Sequence, residues 1–492
     1  MDEDRVHARR WWTLTVLCFS LVIIGVDNTI LNVALPSIVR DLGASGSELQ
    51  WMVDAYTIVF ACLLLTAGSL GDRYGRRRAL MFGLAWFAAF SATASLASSP
   101  AQLIGARAAM GIGGAFIYPT TLSILTNTFH DPGERAKAIG IWAGVAGVGI
   151  AIGPLAGGLL VEHFGWDAIF LVNVPICATA LILCPFFIPN TSDREESPLD
   201  PIGALLSILG LVTFLYAVIE GPDKGWTSSV VLAGFALGAI FIALFWWWEL
   251  HCTGPMLDVR FFKNPRFTAA SATITLTYFA LFSSTFLLTL YFQFILHYSP
   301  LKSGMMLTPV ALGLMIGSPM APRLVVRFGT KWVVVAGLTI VGFAMACYGS
   351  NTLMSSFGIG LLIRFIYGCG VGITTPPVTE SIMGSLPRSR AGVGSAVNDT
   401  TRQTGGAVGV AVIGSLFAAR YHAQIGSLSF LPAGVRQTAR ESIGTSLTEA
   451  AKQPAGAAQH LIDVAHAAFL SSMRLTYPVL VLVIAERKAA WA

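Results

Sequence analysis

Gly68-Ser69-Leu70-Gly71-Asp72-Arg73-Tyr74-Gly75-Arg76-Arg77-Arg78-Ala79-Leu80 is a cationic turn held between two long apolar runs. A turn this short between such runs is the bend of a membrane hairpin. Gly71 and Gly75 let the backbone reverse tightly, while Arg73, Arg76, Arg77 and Arg78 put four positive charges where a cytoplasmic loop carries them. Four arginines alone would suit any topogenic loop. The ordered Gly68, Gly71-Asp72-Arg73 and Gly75 ahead of the basic cluster go beyond that need and point to a transporter.

The chain has 492 residues, 54% hydrophobic and only 12% charged, which is too apolar for a soluble globule of this length. Fourteen apolar stretches of about 20 residues, each long enough to cross the hydrocarbon as a helix, run from Trp12–Leu35 to Ala465–Ile484. The fold class expected is therefore an all-α polytopic membrane protein. Lys and Arg gather in alternate loops, which places both termini in the cytoplasm. Trp11-Trp12 lead into a full-length first span with no small-residue cleavage site, so that helix is its own anchor. Arg474 interrupts the last span and Glu486-Arg487-Lys488 ends it, so a shortened final helix is expected. The net charge of +5 follows from loop topology and argues for no nucleic-acid partner. Six of the seven cysteines lie in apolar runs and no CxxC occurs, which suggests neither a metal site nor disulfides.

The sequence repeats itself. Arg107, Gly111, Gly113 and Pro119 recur as Arg364, Gly368, Gly370 and Pro376 at a constant offset of 257 residues. Arg73-Tyr74-Gly75 recurs as Arg327-Phe328-Gly329, and Arg135-Ala136 as Arg390-Ala391. The expected organisation is a six-helix bundle over 1–190, a linker with two inserted spans over 191–262, and a second six-helix bundle over 263–492 with a long outer loop at 420–462 that has room for one short helix. Parallel halves of this kind hold the substrate site between them.

A carboxylate near the membrane centre costs about 2.5–3.5 kcal/mol even on a lenient scale, so it needs a reason to stay. Asp27 lies roughly 12 Å from the outer end of the first span, counted at 1.5 Å per residue. Asp54 and Arg107 fall in the same depth band from their own outer ends. The three suit proton coupling, or equally a static buried salt bridge. In the thirteenth span Asn398-Asp399-Thr400-Thr401-Arg402-Gln403-Thr404 is an unbroken polar run that belongs against protein or water. Asp399 and Arg402, three apart, share a face, so proton coupling, a substrate contact and a local ion pair all fit. Glu380 closes the twelfth span near the inner surface, where gating, structural and proton-binding roles are open. Gly149, Gly153 and Gly157 make a small-residue stripe in the fifth span, with Pro154 favouring a kink.

With Asp27-Asn28-Thr29-Ile30-Leu31-Asn32-Val33-Ala34-Leu35-Pro36, Trp51-Met52-Val53-Asp54-Ala55-Tyr56, Phe170-Leu171-Val172-Asn173-Val174-Pro175 and Met256-Leu257-Asp258-Val259-Arg260, the chain resembles the fourteen-span drug:proton antiporters of the major facilitator superfamily. The resemblance implies two six-helix bundles plus two inserted helices in a bacterial plasma membrane. It implies Asp27 as the membrane acid and Arg107 as the arginine assisting proton transfer. Gly68, Asp72, Arg73, Gly75, Arg76 and Arg77 correspond to a cytoplasmic latch between the halves. Gly149, Gly153-Pro154 and Gly157-Gly158 resemble the antiporter motif, thought in that family to pack the halves together. Val326 stands where the second turn would repeat Asp72, so only the first copy is expected to make the acidic latch contact.

No phosphate-binding Gly-x-x-x-x-Gly-Lys-Ser/Thr occurs, so coupling is expected to come from a proton gradient, without cofactor or metal. The expected function is proton-coupled export of lipophilic, often cationic, drugs by a monomer. The alternative is a proton-coupled importer or narrow-substrate metabolite transporter of the same fold. No nucleophile, base or metal cluster suggests an enzyme.

Overall fold

The computed structural model describes residues 3–42, 46–189, 200–255, 257–349, 357–387, 391–426, 434–436, 439 and 443–491. The linker residues Asp193, Arg194, Glu195 and Glu196, together with Met256 and Arg390, lie outside the described residues, and so do the side chains of Asp54 and Pro154. The described residues form fourteen long helices. The first six are α1 (Glu3–Leu42), α2 (Gly46–Tyr74), α3 (Arg76–Ser95), α4 (Pro100–Thr128), α5 (Pro132–Phe164) and α6, in two pieces (Ala168–Leu171 and Asn173–Phe187). Next come α7 (Pro201–Lys224) and α8 (Ser229–His251). The last six are α9 (Pro265–Leu290), α10 (Pro300–Phe328), α11 (Thr330–Tyr348), α12 (Phe357–Met383), α13 (Ala391–Gly426) and α14 (Ala455–Trp491). Eleven of the described helices are long and apolar enough to cross a membrane.

Five helices begin on one two-residue device, a capping side chain followed by proline. Ser99, Asp131, Asp200, Asn264 and Ser299 each accept a bond from a backbone N–H of the first turn, and the proline that follows has no N–H to leave orphaned. The two repeated turns share a backbone conformation as well. Gly75, between α2 and α3, has φ 109°, and Gly329, between α10 and α11, has φ 80°. Both angles lie in the region that only glycine enters freely.

Helix contacts match pair for pair between the halves. In the first, α1 packs on α5, and α2 and α3 on α4; in the second, α9 packs on α13, and α10 and α11 on α12. Glycines fix the register. A Cβ on Gly113 would come within 2.9 Å of the Gly83 carbonyl, and one on Gly370 within 3.0 Å of the Gly337 carbonyl. The halves meet through α5 against α10 and α12, and through α2 and α4 against α13. The inserted α7 and α8 pack on each other, with α7 laid against α2 and α13. Trp248 Nε1 donates to Asp200 at 2.9 Å, tying the end of α8 to the start of α7, and buried Glu249 accepts from the Leu257 N–H at 3.1 Å.

Several expectations are corrected. The final helix is not cut short: it begins ten residues earlier than read and stays helical through Trp491. At Val172 the sixth span keeps helical dihedrals, φ −62° and ψ −27°, and the Val172 N–H donates to the Ala168 carbonyl at 3.1 Å, so Ala168–Phe187 runs as one span. α9 ends in a π-helical turn, Tyr291–Ile295. The long loop is shorter than read, since α13 runs on to Gly426 and a helix forms at Ile443–Ala450.

Candidate functional site

Two buried polar clusters sit in the bundle. In the first, Asp27 and Arg107 are both fully enclosed, and Arg107 Nη1 lies 2.5 Å from Asp27 Oδ2. Arg107 Nε donates to the Met52 carbonyl at 3.1 Å, and its guanidinium lies 4.4 Å from the centre of the Tyr56 ring. The other Asp27 oxygen accepts from Asn173 Nδ2 at 3.2 Å. Asn173 opens the second piece of α6 and also donates to Ser91 Oγ at 3.1 Å, while Ser91 donates to the Phe170 carbonyl at 2.8 Å. α6 thus presents an amide to Asp27, and Ser91 of α3 fixes that amide. Both carboxylate oxygens are satisfied, as a buried charge requires.

The second cluster lies between the halves. Arg402 Nη1 is 3.6 Å from Asp399 Oδ1, a loose ion pair. Asn398 donates to Asp399 at 3.1 Å, and Thr379 to Asn398 at 3.3 Å. Arg402 makes its closest contact with the Tyr278 hydroxyl. Its guanidinium lies 4.2 Å from the Tyr278 ring centre, 5.7 Å from that of Tyr118 and 5.8 Å from that of Trp142. Tyr118 and Trp142 belong to α4 and α5, so an arginine of the second half rests in an aromatic box completed by the first. Aromatic faces attract cations, more strongly where water is excluded.

At the end of the bundle that carries the Gly68–Leu80 turn, the halves are closed. Buried Asp72 pairs with Arg76 at 2.7 Å and accepts from the backbone N–H groups of Gly392 at 2.9 Å and Val393 at 3.3 Å. The carboxylate thus caps the N-terminus of α13 from across the interface, where orphan N–H groups and the helix dipole favour an anion. Gly68 lies in the same contact, since a Cβ there would be 2.6 Å from the Gly392 carbonyl. Arg135 grips Glu380 with Nη2 at 2.5 Å and Nε at 3.0 Å, a second bridge between halves. Arg77 stays within its own half and donates to the Ile188 carbonyl at 3.4 Å. Val326, at the repeated turn, is 87% exposed.

The glycine stripe of α5 does not pack the halves together. Cβ atoms at Gly149, Gly153 and Gly157 would strike Gly25, Thr29 and Ile30 of α1, in the same half. The contact with α10 is made on another face of α5, by Gly140, Gly144 and Gly147. The stripe brings α5 onto α1 on both sides of Asp27; Gly158 is only half-buried.

Residues 17–410 match the Major Facilitator Superfamily. The chain belongs to this superfamily. It is 37% identical to the multidrug efflux pump LfrA of Mycolicibacterium smegmatis, over 96% of this chain and 94% of that protein. It is 32% identical to the methyl viologen resistance protein SmvA of Salmonella typhimurium, over 94% of each. The crystal structure of the human organic anion transporter MFSD10 superposes with a TM-score of 0.59 at 14% identity, covering 98% of this chain and all of that one. Superfamily membership makes this a membrane transport protein and not an enzyme.

For a superfamily member, the charged residues were the readable part of the site. Asn173, Tyr118, Trp142, Tyr278 and Arg135 were not singled out for chemistry. The only sequence signal for Arg135 was its place in a repeated Arg-Ala pair, and aromatic residues in apolar spans are too common to stand out.

Proposed function

We propose that the protein is a proton-coupled drug exporter of a bacterial plasma membrane, working as a monomer by alternating access with both termini in the cytoplasm. The observation that carries this reading is the pair of buried clusters, one holding a carboxylate in an arginine contact and the other an arginine in an aromatic box shared by the halves. The relatives named for multidrug efflux and methyl viologen resistance support it, the latter because methyl viologen is an aromatic dication. In this reading the Asp72 and Arg135–Glu380 contacts close the cytoplasmic end and must part for a drug to enter. A lipophilic cation then takes the faces of Tyr118, Trp142 and Tyr278, and Arg402 turns fully to Asp399.

The protonatable groups in this scheme are Asp27 first and Asp399 second, with Asp54 at the edge of the same band. A proton from outside adds to the Asp27 carboxylate, cancels its charge and frees Arg107 from the ion pair. When Arg107 returns, the proton leaves to the cytoplasm. The gradient supplies the energy, with no cofactor.

Ethidium efflux from energised cells tests this, with wild type and Asp27→Asn at equal membrane expression, each with and without a protonophore. Efflux falling to background in the variant, and in the wild type with protonophore, is the expected result. Full efflux in Asp27→Asn that the protonophore still abolishes moves the proton site to Asp399. An inactive wild type removes the multidrug reading in favour of an importer or narrow-substrate carrier.

A further inference from the structure

A groove opens between the halves at the end of the bundle that carries the two repeated turns. It measures about 280 Å³ and is lined by Gly133, Lys137 and Ile141 of α5 and by Met320, Arg323 and Val326 of α10. Each half therefore contributes one cation, and no acid lines the groove. Neither Lys137 nor Arg323 belongs to an ion pair among the described residues. Lys137 Nζ lies 5.0 Å from the centre of the Trp11 ring. The acids of the first turn of α5 are engaged elsewhere: Asp131 accepts from the Glu134 N–H at 2.8 Å, and Glu134 pairs with Arg10 at 2.8 Å. The groove is thus an apolar floor under two positive charges with no counter-charge of its own.

The face of α10 that leads to it is a lipid face. Leu312, Met315, Ile316 and Met320 are all exposed, and their spacing puts them on one side of the helix. Arg323 and Arg327 continue the same side and are exposed as well. From Leu312 to Arg323 the helix rises about 16 Å, close to the roughly 15 Å of hydrocarbon in one leaflet. The stripe therefore ends in arginines at headgroup level. Phe328 and Trp332, both more than half exposed, stand near the same end, where interfacial aromatics gather.

We propose that this groove binds one anionic phospholipid, its phosphate held between Lys137 and Arg323 and an acyl chain laid along the Leu312–Met320 face. A free anion would gain nothing from the apolar floor. A zwitterionic lipid would bring an ammonium group up to two cations, so the site selects lipids with net negative charge. Because the two cations belong to different halves, the lipid bridges them at the closed end of the bundle. In the orientation proposed above, its leaflet is the cytoplasmic one.

Native mass spectrometry of the purified full-length protein, titrated in micelles with dioctanoyl phosphatidylglycerol or phosphatidylcholine, tests this. Phosphatidylglycerol is expected to bind at least about tenfold more tightly, and Lys137→Gln and Arg323→Gln each to weaken it about fivefold. A control pair, Arg78→Gln with Lys263→Gln, removes two exposed charges away from the groove and should leave the affinity unchanged. All four side chains are exposed, so the variants should fold. Equal affinity for the two lipids, or undiminished binding when Lys137→Gln and Arg323→Gln are combined, overturns the proposal. An equal loss in the control pair overturns it in favour of diffuse charge attraction. Displacement of the lipid by millimolar inorganic phosphate overturns it in favour of a free-anion site.

Discussion

Arg107 and Arg364 occupy the same position in two copies of one helical repeat, and among the described residues only Arg107 has an acid beside it. In the first half the chain supplies the acid, Asp27, at 2.5 Å and orients it with Asn173. In the second, Gly409 packs on Phe279 as Gly153 does on Val26, so Ala280 takes the acid's place, and the Phe292 ring covers the guanidinium at 4.9 Å. The common element is a buried cation at one level of the fourth helix of each half. A covalently tethered acid can take a proton and hold it through a conformational change, whereas an arginine with no acid opposite it offers no such group. Duplication gave both halves an arginine, and the proposed proton chemistry sits only where an acid is attached to the chain.

The largest effect that sharpens this contrast comes from removing each arginine. Arg107→Ala strands the Asp27 charge without its partner, and the expected loss is about 3–5 kcal/mol of stability. Arg364→Met deletes a charge that has no acid to strand, so the variant should be no less stable than wild type under the same conditions. Unfolding of the two purified variants compares them directly, and equal losses would mean that Arg364 has an acidic partner after all.

A smaller effect follows from giving the second half its missing acid. Ala280→Asp puts a carboxylate in the register position of Asp27. If it reaches Arg364, the new ion pair should keep Tm within about 2 °C of wild type or raise it. A larger fall in Tm would show that α9 does not bring the carboxylate to the guanidinium, so that both buried charges stand unpaired.

Much of this contrast could be read in advance, and the part that could not has a physical cause. Arg107 and Arg364, with their glycines, stood out because close helix approach demands small residues at fixed spacing and because a charge in an apolar run is conspicuous. Asp27, Asp72 and Asp399 were legible for the second reason. Periodicity showed that Gly149, Gly153 and Gly157 share a face of α5 but not which helix they meet, and they meet α1. The box around Arg402 is assembled from α4, α5, α9 and α13, so no local pattern announces it. Asn173 is one amide in an apolar run, and no local pattern shows that it meets Asp27 of another helix.

The two repeated turns give the last and smallest test of asymmetry. Asp72 is buried because the N-terminus of α13 faces it with the unpaired N–H groups of Gly392 and Val393. At the repeated turn, Val326 lines a groove with Gly133 and Lys137 of α5 and Arg323 of α10. The N-terminus of α5 is nearby, but its own Asp131 already caps it, accepting from the Glu134 N–H at 2.8 Å. A self-capped helix has less need of an acid from the other half, which accounts for a valine being tolerated there at 87% exposure. Val326→Asp would still place an anion near a helix N-terminus and two cations, an arrangement worth about 0.3–1 kcal/mol at an exposed site. It should therefore strengthen the closed arrangement of this end about two- to five-fold, read as a shift in spin-label distances between α5 and α10 and as slower efflux. An unchanged distribution would mean that Asp131 saturates the α5 terminus and that a latch needs an uncapped helix opposite it, the condition that Asp72 meets and position 326 does not.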